Sequence, residues 1–459
     1  MIRGTEARRP SPSHREPSRK EAMAPETDTT QVGSYFIANY PPFSAWTADA
    51  IPEVEKALAH EFSGDTPLGL YLHVPFCRLR CKFCYYKVYT DKNSGDVERY
   101  VTALDNEAAL HASRPALRDR PLDFVYFGGG TPSYLSRGAL ESLVEHLRRR
   151  FSWDAIQELT FECEPGTLTR AKLEGVRAIG ATRLSFGVEH FDDHVLEVNG
   201  RAHRSAEIYR AYGWAREVGF DQINVDLIAG MVGETEEKWI RTVEETLKLE
   251  PDGVTIYQME LPHNAVFARE ARDTGAAPAI APWETKRRWV AEAFRVFEEA
   301  GYEVTSTTTV ARPRPGRSSD FLYREALWKG ADLLGLGVAS FSHLSGVHFQ
   351  NAGSWEEYLQ MVERGVLPLH RAYALSPRER LIREMILQLK LGHIDAGYFR
   401  SKFGVNIGNE FASAFSSLVE EGHATIDGDA ITLSRDGLLQ VDGLLPRFFE
   451  PRFRNVRYS

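Results

Sequence analysis

Between residues 69 and 300 the chain alternates between two hydrophobic periods. Short β-branched and aromatic runs occur at 69–74, 122–127, 158–162, 183–188, 222–227 and 253–258. Amphipathic stretches at 97–111, 135–150, 170–179, 205–218, 236–249 and 282–300 separate or follow them. The short runs read as strands, and apolar positions recurring every three or four residues read as helices. Strands joined through helices imply right-handed βαβ crossovers and a parallel sheet. Six such units fall short of the eight that close a barrel. The expected fold class is therefore α/β, a partial, open (β/α)6 barrel.

The pattern changes at residue 376. Helices at 377–391, 396–403 and 408–421 precede two strands, 424–427 and 430–433, around the turn pair Gly428-Asp429. Three helices and a hairpin describe a small winged-helix-like α+β domain. The organisation expected is a disordered Pro-, Ser-, Glu- and Arg-rich tail at 1–30, a segment at 31–68 packing on the barrel, a core with an extension at 69–375, and the C-terminal domain at 376–459. Met23 is a second candidate start.

Composition narrows the partners. A hydrophobic content of 43% and a charged content of 26% are ordinary for a soluble globular protein. The formal net charge of −9 offers no global attraction to nucleic acid or to an anionic membrane. No apolar run approaches the ~20 residues that span a bilayer, and the N-terminus shows no signal-peptide apolar region. Winged helices often bind DNA, but residues 376–459 carry 11 Lys/Arg and 11 Asp/Glu, and the stretch 408–421 holds Glu410, Glu420 and Glu421 with no basic residue. Phosphate neutralisation dominates nucleic-acid affinity, so neither nucleic acid nor membrane is an expected partner. The C-terminal domain reads as a lid or wall over the barrel mouth, and the protein as a monomer.

Three of the chain's four cysteines crowd into one loop, in Tyr71-Leu-His-Val-Pro-Phe-Cys-Arg-Leu-Arg-Cys-Lys-Phe-Cys84. Soft thiolates at this spacing suit an iron–sulfur cluster or a zinc ion, the latter completed by His73. Three thiolates can hold three irons of a [4Fe–4S] cube and leave the fourth iron open. Few cysteines, gathered in a ligand loop, fit a reducing compartment and hence the cytoplasm.

In a parallel barrel the chemistry lies at the C-terminal ends of the strands. The first predicted strand ends in the cysteine loop. The second ends in Gly128-Gly-Gly-Thr-Pro132, where glycines let backbone N–H groups approach a ligand, as in an anion nest. The third ends in Phe161-Glu-Cys-Glu-Pro165 and the fourth in Phe186-Gly-Val-Glu189, while the fifth carries Asp226 within an apolar run. Buried carboxylates are rare unless paired or ligand-bound. Together these residues converge on a cationic, hydroxyl-bearing ligand. Cys163, on the third strand, reads as a small core residue.

The C-x3-C-x2-C spacing resembles the signature of the radical S-adenosylmethionine (SAM) superfamily. Over roughly residues 65–450 the chain resembles the oxygen-independent coproporphyrinogen III oxidase-like (HemN-like) branch. The motifs carrying that resemblance are Tyr71-x-His-x-Pro-Phe-Cys, Gly-Gly-Gly-Thr-Pro, Glu-x-x-Pro, Arg183-Leu-Ser-Phe-Gly-Val-Glu, Asn-Val-Asp-Leu-Ile and Asp332-Leu-Leu-Gly-Leu-Gly337, in that order. The resemblance implies that the core is a radical SAM barrel and that Cys77, Cys81 and Cys84 ligate a [4Fe–4S] cluster. It implies that Phe83 lies near the adenine, that Gly129, Gly130 and Thr131 bind the methionine end of SAM, and that Glu162, Glu189, Arg201 and Asp226 contact its polar groups. Tyr71 would lie beside the cluster and, with Glu162, serve catalysis. Glu189 stands where the family usually shows Gln. Met259 and Phe341 match positions that bind a second SAM.

Departures narrow the branch. Coproporphyrinogen oxidases carry a further cysteine where this chain has Tyr86, and haem-chaperone relatives carry His-Asn where it has Tyr323-Arg324. What remains resembles the HemN-like methyltransferases and cyclopropanases. The implied function is reductive cleavage of one SAM and transfer of a one-carbon unit from a second to an sp2 carbon of a small-molecule substrate, with a flavodoxin- or ferredoxin-type electron donor. The alternatives are an oxygen-independent coproporphyrinogen III dehydrogenase and a haem chaperone.

Overall fold

The computed structural model describes residues 30, 33, 36–314, 321–454 and 456. Apart from Thr30, the tail expected at 1–30 lies outside the described residues, Met23 included. Six strands follow in the expected order: β1 (Leu68–Val74), β2 (Phe124–Gly129), β3 (Glu158–Cys163), β4 (Arg183–Glu189), β5 (Gln222–Ala229) and β6 (Gly253–Gln258). Helices at Ser94–Ala112, Arg137–Arg150, Arg170–Ala178, Ser205–Val218 and Glu236–Leu249 connect them. Local chemistry sets the helix ends. Asn93 accepts from the N–H groups of Gly95 and Asp96 while Asp96 accepts from Asn93, a reciprocal cap. Gly219 stops its helix at φ +81°, a conformation in which a side chain is strained.

Six further strands lengthen the sheet: β7 (Glu303–Val304), β8 (Thr309–Ala311), β9 (Asp332–Leu336), β10 (Phe341–Leu344), β11 (Val347–Asn351) and β12 (Leu369–Ala374). The order is β12-β11-β10-β9-β1-β2-β3-β4-β5-β6-β8-β7. Strands β1 to β6 are parallel, and β9 adds to them in parallel beside β1, with Leu68 opposite Asp332 and Leu72 opposite Leu336. The parallel section thus has seven strands rather than the six expected. A bare β1 edge would leave unpaired backbone groups, and a strand distant in sequence covers it.

Alternation along these strands separates two chemistries. Leu70, Leu72, Phe161, Leu184, Phe186, Val225 and Ile256 enter the main core under the helices. The intervening Tyr71, His73, Glu162, Ser185, Asp226 and Tyr257 line a chamber inside the curved sheet.

Beyond Pro377 a second core gathers Ile382, Met385, Phe399, Phe415 and Phe448 with Ile37 and Tyr40 from the start of the chain. Its small sheet, β13 (His393–Asp395), β14 (Ala424–Asp427) and β15 (Ala430–Leu433), runs in the order β13-β15-β14. The helix expected over 408–421 is broken into Ile407–Glu410 and Ala412–Glu420. Phe411 leaves the helical region, at φ −117° and ψ 29°, and its ring lies 5.8 Å from Phe448. The chain then turns through Arg435–Leu439 and Val441–Leu444 back to the chamber, where Leu439, Gln440, Asp442 and Gly443 form part of the wall. No helix among the described residues is long and apolar enough to cross a membrane.

Candidate active site

The cysteine loop leaves β1 and is pinned on three sides. Cys77 N–H donates to Tyr89 O, Lys82 N–H to Asn199 O, and Phe267 N–H to Lys82 O, at 3.0 Å each. These bonds hold the thiols at the chamber mouth beside groups from other strands. Cys77 Sγ lies 3.4 Å from the Thr131 hydroxyl and Cys81 Sγ 3.3 Å from Arg201 Nη1. Among the described residues no three His, Cys, Asp or Glu side chains converge as a single-ion site. The ring nitrogens of His73 face the Tyr71 hydroxyl at 3.2 Å and Lys87 O at 3.1 Å, so His73 does not complete a zinc site.

Across the mouth, three carboxyls face inward. Glu162 accepts from Tyr126 Oη at 2.7 Å and from Gly129 N–H at 3.1 Å. Asp226 accepts from Ser185 Oγ at 2.7 Å and Asn224 Nδ2 at 2.8 Å. Glu189 sits at φ +65°, where β4 slips register against β5, and lies 3.5 Å from Arg201. An irregularity of this kind re-aims a side chain, and its strain persists only where the surroundings hold it. Burial pushes Glu162 and Glu189 up to about 7 and Asp226 up to about 6. Burial also raises the thiols of Cys77, to about 11, and Cys84, to about 12.

The glycine run differs from the open nest expected. Gly129 N–H is taken by Glu162 and Gly130 N–H by Val74 O at 2.8 Å. The glycines instead permit close approach of backbones: a Cβ on Gly130 would stand 2.9 Å from three backbone atoms of the 74–76 segment.

All of the sequence-derived site residues line one cavity of about 1150 Å³: Tyr71, Cys77, Cys81, Phe83, Cys84, Gly129, Gly130, Thr131, Glu162, Glu189, Arg201, Asp226, Met259 and Phe341. Met259 is also core, 2% exposed among Val195, Ile228 and Met231. Sequence reasoning missed much of the rest of the wall, although it had marked Tyr86. Tyr85, Tyr86 and Tyr257 are enclosed by protein yet keep 50%, 40% and 40% of their surface free, because they face the chamber. Asn39 and Trp46 come from the N-terminal segment, Arg371 from β12, and Arg383 from the helix Pro377–Leu389. No local motif marks these last four residues.

The donor set fits an iron–sulfur cluster with a cationic ligand on it. Three thiols share one loop, and of the three inward-facing carboxyls only Glu189 has a cation within ion-pair distance, Arg201 at 3.5 Å, while burial raises all three above the ordinary carboxyl range. Arg201, whose Nε is buried without a partner, borders both groups. A soft cluster at the thiols and a sulfonium or ammonium at the carboxyls would satisfy each.

Residues 71–246 match the family model of the radical SAM superfamily. Over that stretch the chain carries a radical SAM domain, a fold that implies a [4Fe–4S] cluster and SAM as cofactors. Proteins similar to it include oxygen-independent coproporphyrinogen III oxidases and HemW heme chaperones. The chain is 26% identical to the oxygen-independent coproporphyrinogen III oxidase of Synechocystis sp. over 423 residues, covering 89% of this chain and 86% of that one. It is 25% identical to the heme chaperone HemW of Bacillus subtilis over 371 residues, covering 80% and 96%. The solved structure of Escherichia coli coproporphyrinogen III oxidase (HemN), a radical SAM enzyme, superposes with a TM-score of 0.78 at 25% identity, covering 90% of this chain and 96% of that one.

Proposed function

We propose that this radical SAM enzyme holds two SAM molecules in its chamber and transfers a one-carbon unit, by C-methylation or cyclopropanation, to an sp2 carbon of a small molecule. One observation carries the reading. A single chamber of about 1150 Å³ runs from the three cysteines past Met259 and Phe341, more space than one ordinary ligand fills. Cys77, Cys81 and Cys84 would hold the cluster, which when bound and reduced supplies the electron that cleaves one SAM to methionine and a 5′-deoxyadenosyl radical. Arg201 presents a planar guanidinium suited to a carboxylate, and Glu162, Glu189 and Asp226 present acceptors to ammonium and hydroxyl groups. Phe83 supplies an apolar face to the adenine, while Gly129, Gly130 and Thr131 border the methionine end. Glu162, titrating near neutrality, can hold or release a proton beside Tyr126 and within the same wall as Tyr71. Met259 and Phe341 would border the second SAM. A flavodoxin- or ferredoxin-type donor in the cytoplasm would supply the electron.

Reduced enzyme given methyl-deuterated SAM should yield deuterated 5′-deoxyadenosine, and S-adenosylhomocysteine once substrate is present. The relatives support a second reading, oxidative decarboxylation of a porphyrinogen propionate. Unlabelled 5′-deoxyadenosine together with a vinyl product from coproporphyrinogen III would overturn carbon transfer in its favour. Tyr86, in the place where those oxidases carry cysteine, supports the first reading.

A further inference from the structure

In the chamber wall a buried positive charge has no counter-ion among the described residues. Arg383 is 6% exposed and lines the cavity. Its Nε donates to Asn39 Oδ1 at 2.8 Å, and among the described residues neither Nη atom has a hydrogen-bond partner and no carboxylate pairs with it. The two acidic side chains whose charge it feels are engaged elsewhere. Asp332 accepts from Arg120 at 2.9 Å, and Glu384 accepts from Lys402 at 2.9 Å. Asp442, also in the wall, is taken by Lys390 at 2.7 Å. The neighbouring imidazoles do not neutralise it either: His343 and His348 bond each other, Nδ1 to Nδ1, at 2.9 Å. Trp46 stacks on His348 with ring centres 5.0 Å apart, and the Arg371 guanidinium lies 5.9 Å from the centre of the Trp46 ring. Arg371 spends two donors on Gln350 Oε1 and Phe43 O and likewise pairs with no carboxylate among the described residues. Burying a guanidinium without a partner costs several kcal/mol, which a structural role would not tolerate, and its planar fork matches a carboxylate.

We propose that Arg383, supported by Arg371, is an anchoring site for the carboxylate of an organic ligand whose apolar body lies against Phe341, the partly exposed ring of this wall. The ligand is the substrate of the proposed carbon transfer, so the inference deepens that reading. The methionine carboxylate of a second SAM offers the same chemistry, and the test separates the two sources.

The probes are 2-naphthoate and its uncharged carboxamide, measured by equilibrium dialysis against anaerobically reconstituted holoenzyme. The carboxylate should bind at least about tenfold more tightly, the worth of a charge-assisted hydrogen-bonded pair. Arg383→Met should erase that preference while leaving the melting temperature unchanged or higher, because the variant removes an uncompensated charge. Arg371→Gln should reduce the preference and serves if the first variant does not fold. In parallel, SAM binding to wild type and variant is counted: loss of one equivalent assigns the anchored carboxylate to the second SAM, and retention of all assigns it to the substrate. Equal binding of the two probes by wild type, or a preference that survives both substitutions, overturns the proposal. Formation of 5′-deoxyadenosine by the same preparation reports the radical SAM reading separately, so failure of either is recognised on its own.

Discussion

Arg201 Nη1 stands 3.3 Å from Cys81 Sγ, while its Nη2 donates to the carbonyl of Gly187. The guanidinium thereby ties the cysteine loop after β1 to the bulged end of β4, where Glu189 is held at positive φ. The same contact sets a fixed positive charge beside the cysteine loop, where a metal cluster would be held by anionic sulfur ligands.

Removing a cluster thiolate should be decisive where removing the fourth cysteine is not. Cys81→Ala is expected to abolish SAM cleavage, and the triple Cys77/Cys81/Cys84 variant should show no iron–sulfur absorbance after reconstitution. Cys163→Ala should load normally. Its side chain is 4% exposed in the main core and its thiol reaches only Phe161 O at 3.8 Å. The substitution should cost about 1 kcal/mol, the common size for a small core change. Retained absorbance and 5′-deoxyadenosine in the triple variant would refute the ligand assignment.

Glu189 gives the ligand-free protein a pH-dependent instability. Burial raises its folded-state value to about 7, above the ordinary 4.5, against the pull of Arg201. A carboxyl raised on folding binds its proton more tightly folded than unfolded. The penalty is absent below the unfolded value, grows from about pH 4.5 to 7, and is full above that. Glu189→Gln should therefore stabilise the ligand-free protein by about 3 kcal/mol at pH 8 and by almost nothing at pH 4.5. Urea unfolding at the two pH values measures the difference. An equal gain at both would show that packing, rather than charge, separates the variants.

The far wall of the chamber depends on a buried pair. Lys390 is fully buried and donates to Asp442 Oδ1 at 2.7 Å, which also accepts from Ile37 N–H at 2.8 Å. One carboxylate thus joins the helix Pro377–Leu389, the C-terminal turn Val441–Leu444 and the N-terminal segment. Asp442→Ala leaves the ammonium with one carbonyl, that of Ile37. Loss of about 3–5 kcal/mol is expected, as for other broken buried pairs. Asp442→Asn, which keeps an acceptor for Ile37, should lose less. Equal stability of Asp442→Ala and wild type in chemical denaturation would count against the clamp.

The sequence revealed what is local and missed what is assembled over distance. The bounds of β6, the helices Ser205–Val218 and Glu236–Leu249, and the Gly428-Asp429 hairpin follow from period and turn chemistry alone. Cys77, Glu162, Glu189 and Asp226 were legible because each sits at or near a strand end with its own motif, and parallel topology brings strand ends together. The pairing of β9 with β1 joins Leu68 to Asp332, a contact that neither segment's periodicity encodes. Arg383 and Asn39 meet across 344 positions. On a helix an arginine reads as a solvated side chain until the partner elements are placed. The break at Phe411 was hidden for a similar reason, since the Phe448 ring that draws it out of the helix comes much later in the chain.

The crossing of β2 over the cysteine loop predicts opposite outcomes for one substitution at two glycines. A Cβ on Gly130 would lie 2.9 Å from Phe76 O, Pro75 C and Val74 O, all of them backbone atoms that cannot swing aside. To admit it, the 74–76 segment must shift, and Cys77 with it. Gly130→Ala should cost at least about 2 kcal/mol, in the range of overpacked sites, and should lower iron incorporation on reconstitution. Gly138, in the helix Arg137–Arg150, has nothing within 4 Å of the same added atom. Gly138→Ala should instead add about 0.5–1 kcal/mol by removing backbone freedom from the unfolded chain and leave iron content unchanged. Thermal unfolding with iron quantitation on both variants tests the pair. A Gly130→Ala protein that loads iron as wild type does would mean that the loop holds its cysteines independently of the β2 crossing.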